Sequence, residues 1–398
     1  MQVSILQENL NKGLSITSRI ISSKTILPIL NNILISTEEG KLKLTATNLE
    51  TGINIWLPAK KEKTGKFTVP AKDITEFISS LPAGKIELKK RQEKLQLVSG
   101  SYKAVFNGMS AAEFPNVPSL KDKTISSKNL KKFKIDVKEF INIVNGICFA
   151  AAIDETRPIL TGVRLSCIGK KIQFVATDGY RLSLKKIKLD KEVNIPTLII
   201  PAKTLVEVAK IIKGEGELKK NKKLQITIIK EVKQIIFSFN NIEVVARLIE
   251  GEFPDFTKII PEKGNTRVFI DRESFDKAVK SSSIFARRSA NIIKLKILTE
   301  GQLSSKEKSS TIGAGQAKLK VMANAPEIGE NEIQLEVKVN GKETNIAFNY
   351  RFLQDFISSF DDELFILELS GSLKPGLFKI EKDPSFFHII MPVRLQED

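Results

Sequence analysis

KLKLTAT at residues 41–47 returns as KIQFVAT at 171–177 and again as KLKVMAN at 318–324. Each copy alternates polar and apolar side chains, the pattern of a strand with one face buried. The copies lie 130 and 147 residues apart, so the chain reads as three similar units in a row. Behind each strand stands an amphipathic helix: VPAKDITEFISSL at 69–81, IPAKTLVEVAKII at 200–212 and FNYRFLQDFISSF at 348–360. Apolar side chains recur at helical spacing in all three. They are Ile74, Phe77, Ile78 and Leu81, then Leu205, Val208, Ala209 and Ile212, then Leu353, Phe356, Ile357 and Phe360. Such a stripe packs on a sheet and leaves the opposite face to solvent or a ligand.

Working outward, a second helix opens each repeat at 8–22, 137–152 and 272–287, with Val137, Phe140, Ile141 and Val144 giving the same stripe. Repeats one and two close on EFPNVP (113–118) and EFPDFTKIIP (252–261), where proline ends the strand. These marks predict domains at 1–128, 129–264 and 265–398, each an α+β unit of two helices and roughly eight short strands. In the third copy Leu295–Ile297 follows Val163–Leu165 by 132 residues, while the next strand is displaced by 147. The difference is an insertion in TEGQLSSKEKSSTIGAGQAK (299–318), which predicts a surface hairpin loop.

The chain has 398 residues, 41% hydrophobic, with 63 Lys and Arg against 46 Asp and Glu, a formal net charge of +17. That excess invites an anionic partner. It is also what an AT-rich coding bias produces, since Lys outnumbers Arg 51 to 12. One histidine, His388, and two cysteines, Cys148 and Cys167, cannot assemble a Cys/His zinc site or a disulfide framework. No phosphate-binding GxxxxGK[ST] loop, post-strand GxGxxG, HExxH or GxSxG elbow is present, so no catalytic residues are assigned. Asp154–Glu155 and Asp361–Asp362 read as turn and surface charges. The start, MQVSILQENLNKGL, lacks a basic segment and a continuous apolar run, and no apolar stretch reaches the ~20 residues of a membrane helix. No cofactor and no membrane partner are expected, and the cytoplasm is the expected compartment.

ATDGYRL (176–182), GEFPDFTKIIP (251–261), LPILNNILI (27–35) and IIMPVRL (389–395) resemble the bacterial DNA polymerase III beta subunit, the sliding clamp, in order and spacing along the chain. The resemblance implies a head-to-tail homodimeric ring of six similar domains, sheets outside and helices lining a hole that holds duplex DNA. It implies no catalysis. The ring tethers the replicative polymerase, and the clamp loader and repair or replication factors dock on it through short peptides.

A sliding lining needs dispersed cations and no base-reading constellation. The six helical segments carry a net +6, leaving +11 elsewhere. Lys12, Arg19, Lys24, Lys72, Lys203, Lys210, Lys213, Lys277, Lys280 and Arg351 are the candidate phosphate contacts, each equally readable as a solvated charge. A pocket for partner peptides is implied at Leu160, Thr177, Gly179, Tyr180, Arg181, Leu182, Pro254, Lys258 and Ile259. Its remaining wall is the tail Ile389, Ile390, Met391, Pro392, Val393, Arg394 and Leu395. The loop TDGYRL departs from its counterparts TNLETG (47–52) and NAPEIG (324–329), which marks it for a local task. About half of HIIMPVRL also reads as a plain closing strand. Pro158 and Ile159 stand where the family often has aromatics, Tyr180 where it has histidine, and Gln396, Glu397 and Asp398 extend past the usual end. Those terminal carboxylates are expected to disfavour acidic peptides. For closure, the resemblance sets an edge strand around Lys103 to Phe106 against the third domain of the other subunit, with Ile284 and Phe285 near Phe106. Core packing is the competing role for that pair. The rival reading of the whole chain is a basic protein that grips DNA directly without a ring.

Overall fold

The computed structural model describes residues 1–21, 27–122, 130–216, 222–261, 264–299 and 316–394. The insertion at 299–318 falls almost wholly outside them, as do Lys24, Leu395 and the Gln396–Asp398 extension.

Each repeat follows one plan. The first runs β1 (Gln2–Leu6), α1 (Gln7–Thr17), β2 (Asn32–Glu38), β3 (Lys41–Thr47), β4 (Thr51–Pro58), β5 (Lys60–Lys63), β6 (Lys66–Pro70), α2 (Ala71–Ser80), β7 (Lys85–Arg91), β8 (Lys94–Ser99) and β9 (Tyr102–Asn107). The second runs β10 (Leu130–Asp136), α3 (Val137–Ile147), β11 (Gly162–Ile168), β12 (Lys171–Thr177), β13 (Arg181–Lys188), β14 (Leu198–Pro201), α4 (Ala202–Gly214), β15 (Lys223–Ile229), β16 (Gln234–Phe239) and β17 (Ile242–Arg247). The third runs β18 (Thr266–Asp271), α5 (Arg272–Ala286), β19 (Ile292–Leu298), β20 (Gln316–Ala325), β21 (Gly329–Asn340), β22 (Thr344–Asn349), α6 (Tyr350–Ile357), β23 (Leu364–Leu369), β24 (Gly376–Ile380) and β25 (Asp383–Ile390).

The predicted stripes are the buried faces: Ile74 and Ile78 of α2, Leu205 and Val208 of α4, and Leu353, Phe356 and Ile357 of α6 are all at most 2% exposed. Several helices end sooner than periodicity predicts. α1 and α3 tighten into 3-10 turns at Ser18–Ile20 and Cys148–Ala150, and α6 stops at Ile357 although Phe360 still packs inward. A tight last turn continues the apolar stripe after the α-helical bonds have ended. Short polar side chains cap α5 and α6: Asp271 accepts from the Ser274 amide and Asn349 from the Arg351 amide.

Two compact units result, Met1–Phe140 with Thr204–Leu248, and Ile141–Lys203 with Ile249–Asp398. The first holds a five-stranded sheet, β5-β1-β7-β8-β9, and an eight-stranded sheet, β10-β15-β16-β17-β4-β3-β2-β6. The second holds a twelve-stranded sheet, β14-β11-β12-β13-β25-β24-β23-β18-β21-β20-β19-β22. These units follow sheets rather than repeats, because the last strand of one repeat pairs with the fourth strand of the repeat before it. β17 lies antiparallel to β4, with Ile242 opposite Ile55, and β25 lies antiparallel to β13, with Ile390 opposite Arg181. Two edges lack this partner among the described residues. Among the described residues β9 pairs only with β8, and β21 pairs with β20 over Gly329–Lys338 and with β18 through Lys338, Val339 and Asn340.

In the second unit, α6 and the sheet enclose a cluster of rings. Phe356 stacks on the imidazole of His388 at 5.4 Å and touches Phe378 and Phe360 at 4.9 Å and Phe365 at 5.4 Å. His388 is fully buried and shares a 2.7 Å hydrogen bond with Ser183 Oγ. Burial, seconded by the positive charge of Arg181, holds its pKa well below the ordinary value of 6.5. The unfolded chain therefore takes up a proton near pH ~6.5 that the fold refuses. Stability from this residue is complete above that pH and declines as pH falls through it. Urea midpoints should drop between pH 7 and pH 5.5, and His388→Gln, which cannot titrate, should flatten that slope.

Candidate functional site

The loop that differs from its counterparts, Asp178–Arg181, is built as an Asx turn. Asp178 Oδ1 accepts the amides of Tyr180 and Arg181 at 2.9 and 3.0 Å. Thr177 Oγ1 donates to the Arg181 carbonyl at 2.6 Å and accepts the Gly179 amide at 3.0 Å. Gly179 sits at φ +94°, a conformation side chains resist. The turn pushes Tyr180 outward, 61% exposed, whereas Val175, Leu182, Leu184, Phe256, Leu377 and Ile389 form a buried apolar cluster. Phe253, Ile260 and Phe387 pack against that cluster, and Arg164 lies 5.5 Å over the Phe256 ring, its pKa lowered by burial.

The sequence candidates divide by exposure. Leu160, Thr177, Leu182, Ile389 and Ile390 are buried; Tyr180, Pro254, Lys258, Ile259 and Arg394 are exposed; Met391, Pro392 and Val393 lie between. β25 ends at Ile390, and the next residues are pinned individually: the Met391 amide donates to the Tyr180 carbonyl at 2.9 Å and the Val393 amide to the Ala347 carbonyl at 2.8 Å. The tail is thus a buried strand for its first half and a tacked-down rim for its second. Ile159 fills the space beside Gly251, where a Cβ would come within 2.6 Å of it at φ +130°. Arg181 is different from the rest. Its side chain is 7% exposed and ion-paired to Asp178 and Asp355. Sequence reasoning did not single out Phe253, Phe256, Leu377, Phe352 or Asp355 for the site; Phe253 and Phe256 lie inside the quoted GEFPDFTKIIP and Phe352 and Asp355 inside FNYRFLQDFISSF, while Leu377 joins the cluster only through tertiary pairing.

The first unit shows what the same positions do without this loop. Thr47, Leu49, Thr51, Gly52, Val117 and Val245 line a small cleft at the equivalent junction. Val117 packs over Gly52 in its wall, with Cγ1 2.5 Å from where a Gly52 Cβ would stand.

The helix cations are exposed but seldom alone. Lys12 meets Glu215 at 2.9 Å, Arg19 and Lys210 share Glu207 at 3.7 and 2.7 Å, and Lys203 meets Glu155 at 2.9 Å. Lys277 and Lys280 pair with Glu273 and Asp276, each at 2.6 Å one turn away. Lys72, Lys213 and Arg351 are exposed without an ion pair among the described residues. Exposed pairs of this kind are worth ~0–1 kcal/mol and yield readily to another anion.

Among the described residues no group of three His, Cys, Asp or Glu is placed to hold a metal ion. Among the same residues no helix is long and apolar enough to cross a membrane. Burial pushes the Cys148 thiol up to about 12.

Near β9, Val105 and Tyr102 are 56% and 48% exposed, and Phe106 packs edge-on against Phe77 at 5.8 Å. On α5, Ile284 is 50% exposed and Phe285 half-buried, so Ile284 is not an ordinary core residue.

An internally triplicated α+β chain with scattered helix cations and no metal-ligating cluster among the described residues has the build of a scaffold. Family models of the DNA polymerase III beta subunit match it in succession: the N-terminal domain over 1–118, the central domain over 134–255 and the C-terminal domain over 301–394. The beta sliding clamps of Bacillus subtilis and Staphylococcus epidermidis are 26% and 28% identical over 405 residues, covering 99% of this chain and 100% and 99% of theirs. A solved DNA polymerase sliding clamp from Bacillus subtilis matches with a TM-score of 0.85 at 25% identity over all of both chains. The DNA polymerase III beta subunit from Thermotoga maritima matches at 0.84 and 25%, over 99% of this chain and 100% of its own. The chain belongs to the DNA polymerase III beta subunit family, the non-catalytic sliding clamps of DNA replication.

Proposed function

We propose that two copies of this chain close head to tail into a ring around duplex DNA, slide on it without reading sequence, and tether a replicative polymerase in the cytoplasm. The polymerase, the clamp loader and other replication or repair factors dock one at a time, through short apolar-anchored peptides, on the pocket of Tyr180, Leu182, Ile259 and the tail strand. Domain boundaries at 1–128, 129–264 and 265–398 suit this reading.

The observation that carries closure is the pair of unmatched edges. In repeats one and two the fourth strand is covered by the last strand of the following repeat, and β21 is the fourth strand whose cover is missing. β9 is the last strand with no repeat before it. Transferring the β4–β17 register to this pair sets Tyr102 opposite Ile333, Lys103 opposite Glu332 and Phe106 opposite Gly329. Half-buried Ile333 and Leu335 then meet the Tyr102 and Phe106 side of β9, and the outward faces match a lysine with a glutamate. Pairing also covers backbone groups that would otherwise invite aggregation. For DNA, Lys12, Arg19, Lys24, Lys72, Lys203, Lys210, Lys213, Lys277, Lys280 and Arg351 supply diffuse phosphate attraction.

Topology is the test. After an ATP-driven loader places the protein on nicked circular duplex, it should co-elute with that DNA in gel filtration and be lost once the circle is cut. Equal retention on circle and line would instead identify a protein that grips DNA directly.

A further inference from the structure

Arg181 opens β13 at the pocket mouth, yet its guanidinium faces inward. Nε donates to Asp178 Oδ2 at 2.9 Å and Nη1 to Asp355 Oδ2 at 2.5 Å. Its Cζ lies 4.7 Å from the Phe352 ring centroid and 5.5 Å from that of Phe149. One planar cation thereby joins the Asp178 turn, the helix α6 and the 3-10 turn after α3, a geometry that suits arginine and not lysine.

The first repeat provides an internal control. Asn48 stands in for Asp178 and builds the same turn, accepting the amides of Glu50 and Thr51 at 3.1 and 2.7 Å. At the positions of Arg181 and Phe352 it has Thr51 and the second repeat's Thr204, joined by a 2.8 Å hydroxyl hydrogen bond. Glu207, equivalent to Asp355, is engaged with Arg19 and Lys210. In the first unit two hydroxyls fasten loop to helix. Charge, a fork of hydrogen bonds and two aromatic faces appear at Arg181 instead.

We infer that Arg181 is a positioning residue: by tying Asp178 to Asp355 between Phe352 and Phe149 it holds the turn that presents Tyr180, so that peptide affinity depends on Asp355, a residue of α6 outside the pocket. The inference rests on the peptide-pocket reading above. The turn also accepts the Met391 amide, so the same anchor steadies the tail rim. A wall held in place before the peptide arrives loses less freedom on binding.

The test is fluorescence anisotropy with a fluorescein-labelled pentapeptide ending in Leu-Phe, together with hydrogen exchange at residues 178–182. Ile259→Asp should abolish binding. Asp355→Asn should weaken it by about tenfold and speed exchange in the turn, leaving dimerisation intact, and Asp355→Glu should restore affinity. Phe352→Leu, which keeps the ion pair and removes the stack, should weaken binding too and decides the matter if Asp355→Asn folds poorly. If Ile259→Asp abolishes binding while Asp355→Asn and Phe352→Leu bind like wild type, the inference is overturned and the pocket stands. If Ile259→Asp binds normally, the pocket reading falls and takes the inference with it. Exchange that rises throughout the second unit, without rescue by Asp355→Glu, would show general loosening and overturn the inference as well.

Discussion

Ile284→Asp combined with Phe285→Asp should turn the dimer into monomers, raising its dissociation constant by at least about a thousandfold, or ~4 kcal/mol. Both side chains sit in the last turn of α5, and Ile284 already gives half its surface to solvent in the single chain. In the proposed dimer they approach Phe106 and the β9 edge. A carboxylate at each place loses apolar burial and must be desolvated without a partner, which costs several kcal/mol per site in an apolar contact. A ring with twofold symmetry meets that cost at both junctions. Sedimentation velocity at micromolar concentration reads the outcome. Ile284→Asp alone separates dimer loss from misfolding, because an exposed position barely alters the protomer's own urea midpoint. A stable dimer of the double variant would remove α5 from the interface.

The largest loss of protomer stability should come from Phe356→Ala. The ring is wholly buried, and its neighbours Phe360, Phe365, Phe378 and His388 all lie within 5.4 Å, centroid to centroid. Truncating a phenylalanine so enclosed costs ~3–5 kcal/mol, combining lost transfer energy with a cavity that neighbouring rings fill poorly. Urea unfolding followed by near-ultraviolet circular dichroism measures it. Phe77, half-buried on the equivalent α2, is the comparison; Phe77→Ala should cost clearly less. Equal costs would mean that the ring cluster does not act as a unit.

The periodicity of KLKLTAT and its copies specifies the strands, and the i, i+3, i+4, i+7 stripes specify the helices and the faces they bury. Those signals are local. Pairing of β17 with β4 and of β25 with β13 is not, since nothing in Ile242 or Ile55 names the other. The sheets therefore cross repeat boundaries that sequence punctuation alone keeps separate. The helix ends at Thr17 and Ile147 differ from the periodic estimate because apolar spacing persists through a 3-10 turn, and that at Ile357 because Phe360 still packs inward after the helix has ended. At the candidate site, TDGYRL could be picked out by comparing the repeats, and the structure leaves Tyr180 exposed and Leu182 buried. Which way Arg181 points was hidden, because its partners Asp355, Phe352 and Phe149 lie far away in sequence on other elements.

Six of the nine described cations in the proposed lining rest against carboxylates of their own chain. In the proposed lining, a passing phosphate would replace one weak anion beside such a cation by another, and the carboxylate would return when the phosphate left. Neither step would expose a bare charge, so the energy along the duplex would stay nearly level and no base pair would become a resting place. The acidic neighbours would then act as a lubricant, trading grip for low friction, while enclosure by the ring, rather than attraction, keeps the protein on its track.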